Sequence, residues 1–205
     1  MSQVDIQDDK QELIVEAALK RFAHYGPSKT TMNEIADDLH LSKALLYYYF
    51  PDKASLFKAV VDRILNNYFE EIECEANHAK SIEKTLLTLI DVRHDFFMKY
   101  YNMGLNRNII DCTEGSLDEI IYNAIKRETI FMKKLLTKAN DKGEMQIENP
   151  LEAAELYMDV MAGVRFSILT PNTRSAILDE DTAKVINRKQ KQITELFIRA
   201  YRSIN

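Results

Sequence analysis

Backbone breakers are rare in this chain and fall in a few places. Five Gly and four Pro occur in 205 residues, at Gly26-Pro27, Pro51, Gly104, Gly115, Gly143, Pro150, Gly163 and Pro171. An architecture of many short strands needs turn residues far more often than this. Between the breaks, apolar residues recur at spacings of three and four rather than two, which is the period of helices with one buried face. Leu, Ala, Glu and Lys fill the remaining positions, and all are good helix formers. The chain therefore reads as all-α, with no β-alternation, internal repeat or low-complexity segment.

Helices are expected at about 8–25, from Thr30-Thr31 to Leu39, from Ser42 to Phe50, at 52–77, 81–102, 104–111, 116–141, 150–169 and 182–204, about nine in all. Ile14, Ala17, Ala18 and Phe22 stripe the first, which Gly26-Pro27 stops. Thr31 and Glu34 have the spacing of a capping box. Pro51 ends the third helix, and Asp52 caps the fourth.

A hydrophobic share of 46% with 29% charged residues is that of a folded globular protein. The net charge is −5, which argues against coating nucleic acid by bulk attraction but leaves a local, specific reader open. Residues 66–181 hold 13 basic and 21 acidic side chains, so the middle of the chain is its acidic part. No apolar run reaches the roughly 18 residues of a membrane span, and the start MSQVDIQDDK is not a signal peptide. Two cysteines, Cys74 and Cys112, fit a reducing cytoplasm better than a disulfide scaffold.

The segment TTMNEIADDLHLSKALLYYYFPDK, residues 30–53, carries the function. Two short helices joined by a turn of about four residues form a helix-turn-helix, whose second helix fits the major groove of DNA. On a helical wheel at about 100° per residue, Leu46 and Phe50 share the core face while Ala44, Leu45 and Tyr48 fall opposite. Tyr47 and Tyr49 flank the core face on opposite sides. Three successive tyrosines cover too wide an arc to pack together. On a helix in a groove, the flanking hydroxyls reach phosphates and the outer face meets base edges.

Phe22 and Gly26, Thr30-Thr31, Ile35-Ala36, Leu41-Ser42, Leu46 to Phe50, and Lys53 before Leu56 together resemble the TetR family of bacterial transcriptional repressors. The likeness covers about residues 10–65. It implies an N-terminal three-helix DNA-binding domain, 1–53, linked through the helix at 52–77 to a helical effector-binding and dimerisation domain, 54–205. It implies a homodimer on a palindromic operator, released by a small-molecule effector, with no catalytic residue, metal or cofactor. By the same resemblance Thr30 and Thr31 open the DNA-binding set. Thr31, Tyr47, Tyr49 and Lys53 bind phosphates, and Ser42 caps and touches one too. Lys43, Ala44, Leu45 and Tyr48 face bases.

Two positions depart from the family pattern. His40 stands where the turn usually has Gly. His tolerates a left-handed backbone better than most residues, so the turn is expected to survive. Ala44-Leu45 replace a Gly with Thr or Ser. Methyl groups on the groove face suit thymine methyls, so A·T pairs are expected beneath them.

In the C-terminal part, Leu156, Val160, Gly163 and Val164 of one helix and Ile193, Phe197, Ala200 and Tyr201 of the last are the expected dimer interface. Gly163 in mid-helix suits close helix approach. Aromatic, Met and polar residues mix at Phe97, Tyr100, Tyr101, Asn108, Cys112 and Tyr122, and again at Tyr157, Met161 and Arg165, the candidate effector pocket. Arg165, the one cation on a largely apolar helix, is placed to meet a ligand anion or to pair with Asp159, Glu155 or a neighbouring subunit.

Two rival readings remain. Glu75-x-x-His78 and Asp91-x-x-His94 have the spacing used in di-iron bundles, though one bears Asp and no further carboxylate pair is evident. Alternatively the fold binds DNA constitutively, or acts through a protein partner.

Overall fold

The computed structural model describes residues 3–102, 116–169 and 179–203. Among them are eight helices: α1 (Gln3–Tyr25), α2 (Met32–Asp38), α3 (Lys43–Tyr49), α4 (Lys53–His78), α5 (Ile82–Asn102), α6 (Ser116–Asp141), α7 (Pro150–Leu169) and α8 (Glu180–Tyr201). The expected helix at 104–111 lies outside the described residues. α1 begins five residues before its expected start, because Asp8-Asp9 mark no boundary and neither Gly nor Pro precedes them. Met145 and Arg202 form one isolated β-bridge. No described helix is long and apolar enough to cross a membrane.

The chain divides into two compact units. Among the described residues, the first holds those in 1–67 and 100–120, and the second those in 68–99 and 121–205. The division falls inside α4.

The first unit buries the stripe the sequence predicts. Ile14, Ala18 and Phe22 of α1, Ile35 and Ala36 of α2, and Leu46 of α3 are all 0% exposed. Leu56, Phe57 and Val60 of α4 join them, and the Phe22 and Phe57 rings meet edge-on at 5.6 Å. Each of the larger side chains contributes about 1.5–3 kcal/mol by leaving water, and each alanine less than about 1 kcal/mol. Ion pairs tie the rim. Arg21 grips Asp38 with Nε–Oδ2 at 2.5 Å and Nη2–Oδ1 at 2.9 Å, and Arg63 reaches Glu12 at 2.6 Å.

The second unit has its own core of Leu86 and Ile90 on α5, Met132 and Leu136 on α6, Ala154 and Tyr157 on α7, and Ile198 on α8. Its α6–α7 connection is fixed by polar bonds. Gly143 takes φ 71°, a left-handed turn after the helix that glycine adopts without strain. Asn140 then donates from Nδ2 to the Ile147 carbonyl at 2.7 Å and accepts from the Ile147 N–H at 3.0 Å. Glu144 accepts from the Ile82 N–H at 2.6 Å, closing an orphan donor at the start of α5.

Candidate nucleic-acid interface

The helix-turn-helix is built by three local devices. Thr31 caps α2 in a full capping box, accepting from the Glu34 N–H while the Glu34 carboxylate accepts from the Thr31 N–H at 2.7 Å. That bond and a second from the Thr31 hydroxyl hold the Glu34 carboxyl below its usual range. His40 carries the turn at φ 53°, the left-handed conformation expected of the residue that replaces Gly. Ser42 then caps α3, its Oγ accepting from the Leu45 N–H at 3.2 Å. Asp52 starts α4 in the same way, accepting from Ser55 N–H at 2.7 Å.

These devices turn one face of α3 inward and the other out. Leu46 and Phe50 are buried. Lys43, Ala44, Tyr47 and Tyr48 are exposed, Tyr48 to 69%. Leu45 and Tyr49 are half-buried, and the Tyr48 ring stands edge-on against Tyr49 at 5.4 Å. The outward face thus combines one cation, two phenols and a methyl group.

Other residues of the set sit differently. Thr30 is 1% exposed, and its hydroxyl donates to the Gly26 carbonyl at 3.0 Å. It braces the turn after α1 rather than joining the outer surface. Thr31 is exposed, but its N–H and O–H both point to Glu34. Ser42 keeps its hydroxyl proton free of any described protein acceptor. Lys53 donates to the carbonyls of Pro27 at 2.9 Å and Thr30 at 3.2 Å, leaving one of its three protons for an outside acceptor.

The candidate effector residues divide. Phe97, Tyr100 and Arg165 are half-buried, and the Arg165 guanidinium lies over the Phe97 ring at 4.4 Å. Tyr157 and Met161 belong to the core of the second unit, the Tyr157 hydroxyl bonding to Thr194 at 2.8 Å. Tyr122 points to solvent at 65% exposure and so does not join them. Asn108 and Cys112 lie outside the described residues, as does the Tyr101 side chain.

Sequence reasoning missed a buried charge cluster in the same unit. Arg93 is 7% exposed and pairs with Glu128 through Nε at 3.0 Å and through Nη2. Tyr68 donates to the same Glu128 oxygen at 2.6 Å. Burial works against the Arg93 charge, but Glu128 and the nearby phenols outweigh it and hold its pKa above the usual value. Burial pushes the Tyr68 hydroxyl up. The signal was present. Arg93 continues the apolar spacing Leu86, Ile90, Phe97 of α5, as Arg165 interrupts that of α7.

The proposed dimer residues also divide. Leu156 is 56% exposed and Gly163 is exposed, with open space where its side chain would be. No neighbour in the described chain accounts for the glycine. Val160 and Val164 are half-buried and Ala200 exposed. Ile193, Phe197 and Tyr201 lean on their own core, with Phe197 5.0 Å from the Tyr157 ring. Leu196, beside them, is 59% exposed and lines a groove with Val164, Lys189 and Arg199.

Among the described residues no three His, Cys, Asp or Glu side chains stand together as metal ligands. Asp91 is taken up by Lys191 and Asn187, and the His78 ring contacts the Cys74 carbonyl oxygen.

The family described as bacterial regulatory proteins, tetR family, matches residues 14–60, the segment just described. A probable acrEF/envCD operon repressor of Escherichia coli is 46% identical over 48 residues, which is 23% of this chain and 21% of that protein's length. A transcriptional regulator of Cytophaga hutchinsonii superposes with TM-score 0.83 at 30% identity, over 94% of this chain and 98% of that one. A putative TetR-family regulator of Mesorhizobium loti shares the fold at TM-score 0.76 and 20% identity, over 98% and 100% of the two chains. With its helix-turn-helix matched in sequence and its helices matched almost end to end, the chain belongs to the TetR family of transcriptional regulators.

Proposed function

We propose that the chain is a DNA-binding repressor that acts as a homodimer on a palindromic operator and is released by a small-molecule effector. The observation that carries the DNA-binding reading is the two-faced α3. Leu46 is fully buried, while Lys43, Ala44, Tyr47 and Tyr48 stand outward on a helix held by its Ser42 cap. The first unit supplies few cations, so affinity rests on specific contacts and on two copies binding together. Tyr47, Tyr49, Ser42 and the remaining proton of Lys53 position the helix on phosphates. Lys43, Ala44, Leu45 and Tyr48 read bases.

The exposed Leu156, Gly163 and Leu196 support pairing of α7 and α8 with the same helices of a second copy, a four-helix interface. An effector in the second unit then shifts α4 and spoils the spacing of the two recognition helices. It does so only by preferring the state that cannot bind DNA.

Ala44→Asp tests the reading. It places a carboxylate on the outer face of α3 without touching the core. Binding to an operator duplex should be lost while thermal stability stays within about 0.5 kcal/mol. Undiminished binding would remove α3 from the interface.

A further inference from the structure

Two guanidinium groups lie inside the second unit, and among the described residues only Arg93 is bonded to a carboxylate, that of Glu128. Glu128 Oε1 accepts from Tyr68, from Arg93 Nε and from Arg93 Nη2. Arg93 Nη1 is buried and, among the described residues, has no hydrogen-bond partner. Arg165 lies over Phe97 and, among the described residues, has no carboxylate within ion-pair distance.

We propose that Arg93 and Arg165 form the anion-binding end of the effector site, and that the effector is an organic monocarboxylate with an apolar body. This rests on the effector-released reading above and names its ligand class.

The charge count points to a monoanion. Among the described residues, two cations against one carboxylate leave the cluster with one excess positive charge, held in a place where an unpaired charge is costly. Burial and the nearby Arg93 depress the Arg165 pKa, the response of a cation short of a counter-ion. A carboxylate supplies one negative charge and acceptors that match guanidinium N–H groups. A phosphate dianion would overshoot the balance.

The surroundings set the rest of the ligand. Arg93 Nη2 contacts Met158 Sδ at 3.7 Å, and Tyr68 lies against Phe96 with ring centroids 4.5 Å apart. Met158 and Arg165 are seven residues apart on α7, two turns along one face and about 10 Å. A thioether thus stands against Arg93 and an aromatic ring against Arg165. Met158, in contact with Arg93 Nη2, has three rotatable bonds and is suited to yield to the apolar body of a ligand.

The probe is sodium octanoate, whose chain is long enough to cover Met158 and Phe97. Thermal shift and calorimetry on the full-length protein compare it with octanamide, octylammonium chloride and sodium chloride at equal concentration. Octanoate should raise Tm and the other three should not. Arg165→Gln loses no described ion pair, so it should fold, and its octanoate affinity should drop at least tenfold. Glu128→Gln removes the competing carboxylate and should bind octanoate more tightly, which a purely structural role would not produce. If octanoate shifts wild-type Tm no more than octanamide does, the proposal is overturned whatever the variants do. Undiminished octanoate binding by folded Arg165→Gln overturns it as well. Octanoate that binds through both arginines but leaves the protein–DNA complex intact upholds the site and refutes the effector-release reading.

Discussion

The Lys53 ammonium donates to the Pro27 carbonyl oxygen at 2.9 Å, tying the first residue of α4 to the turn that ends α1. A residue placed by resemblance on a phosphate is thus also a brace of its own domain. Lys53→Met removes this bond and the one to Thr30. It should destabilise the protein by about 2 kcal/mol, as a lower urea midpoint with unchanged slope. DNA affinity should fall with it, at temperatures where the variant is fully folded.

His40 holds φ 53° in the helix-turn-helix turn. Glycine takes that conformation without strain, at some cost in unfolded-state entropy. His40→Gly should raise stability by about 0.5 kcal/mol, and His40→Val should lower it by about 1–2 kcal/mol. Thermal unfolding of the three proteins under one condition decides it.

Asp38 is held below its usual pKa, first by its hydrogen bonds to Arg21. A depressed carboxylate contributes stability above its unfolded pKa of about 3.9, and the contribution is lost as pH falls through the lower folded value. Asp38→Asn should therefore be less stable than wild type at neutral pH. The gap should narrow below about pH 4 and close further down. Urea midpoints across that range measure it. A gap that widens in acid would contradict the pairing.

Tyr47 and Lys43 should fail differently. Tyr47→Phe removes one hydroxyl from the rim of α3 and should weaken binding to all duplexes alike, by about fivefold. Lys43→Ala should relax preference at one base pair while costing less on unrelated sequence. Fluorescence anisotropy on matched and mismatched duplexes separates the two.

Leu196 is 59% exposed beside the groove lined by Val164 and Arg199. Leu196→Glu costs the monomer little, because the side chain already meets solvent. Sedimentation should show a monomer with native helicity, and operator affinity should collapse with the loss of paired half-sites.

Where local chemistry decides the outcome, the chain was legible. Thr31 with Glu34, Ser42, Pro51 and Asp52 set the boundaries of α2, α3 and α4 within a residue, because caps and breakers act over one turn. The outward face of α3 followed from a wheel. Thr30 did not, since a threonine next to a cap looks the same whether its hydroxyl meets solvent or the Gly26 carbonyl. Arg93 was overlooked in favour of Asp91 and His94. Its partner Glu128 lies 35 residues away on another helix, and no local spacing announces a long-range ion pair. Tyr122 was grouped with pocket residues on composition alone, and α6 turns it to solvent.

Selection of bound sites from a random duplex library, using the purified full-length protein, tests the central claim most directly. An enriched palindrome is expected. Its half-sites should be centred one helical turn apart, about 10 base pairs, with A·T pairs beneath Ala44 and Leu45. No enrichment from a folded dimer, with or without octanoate, would contradict it.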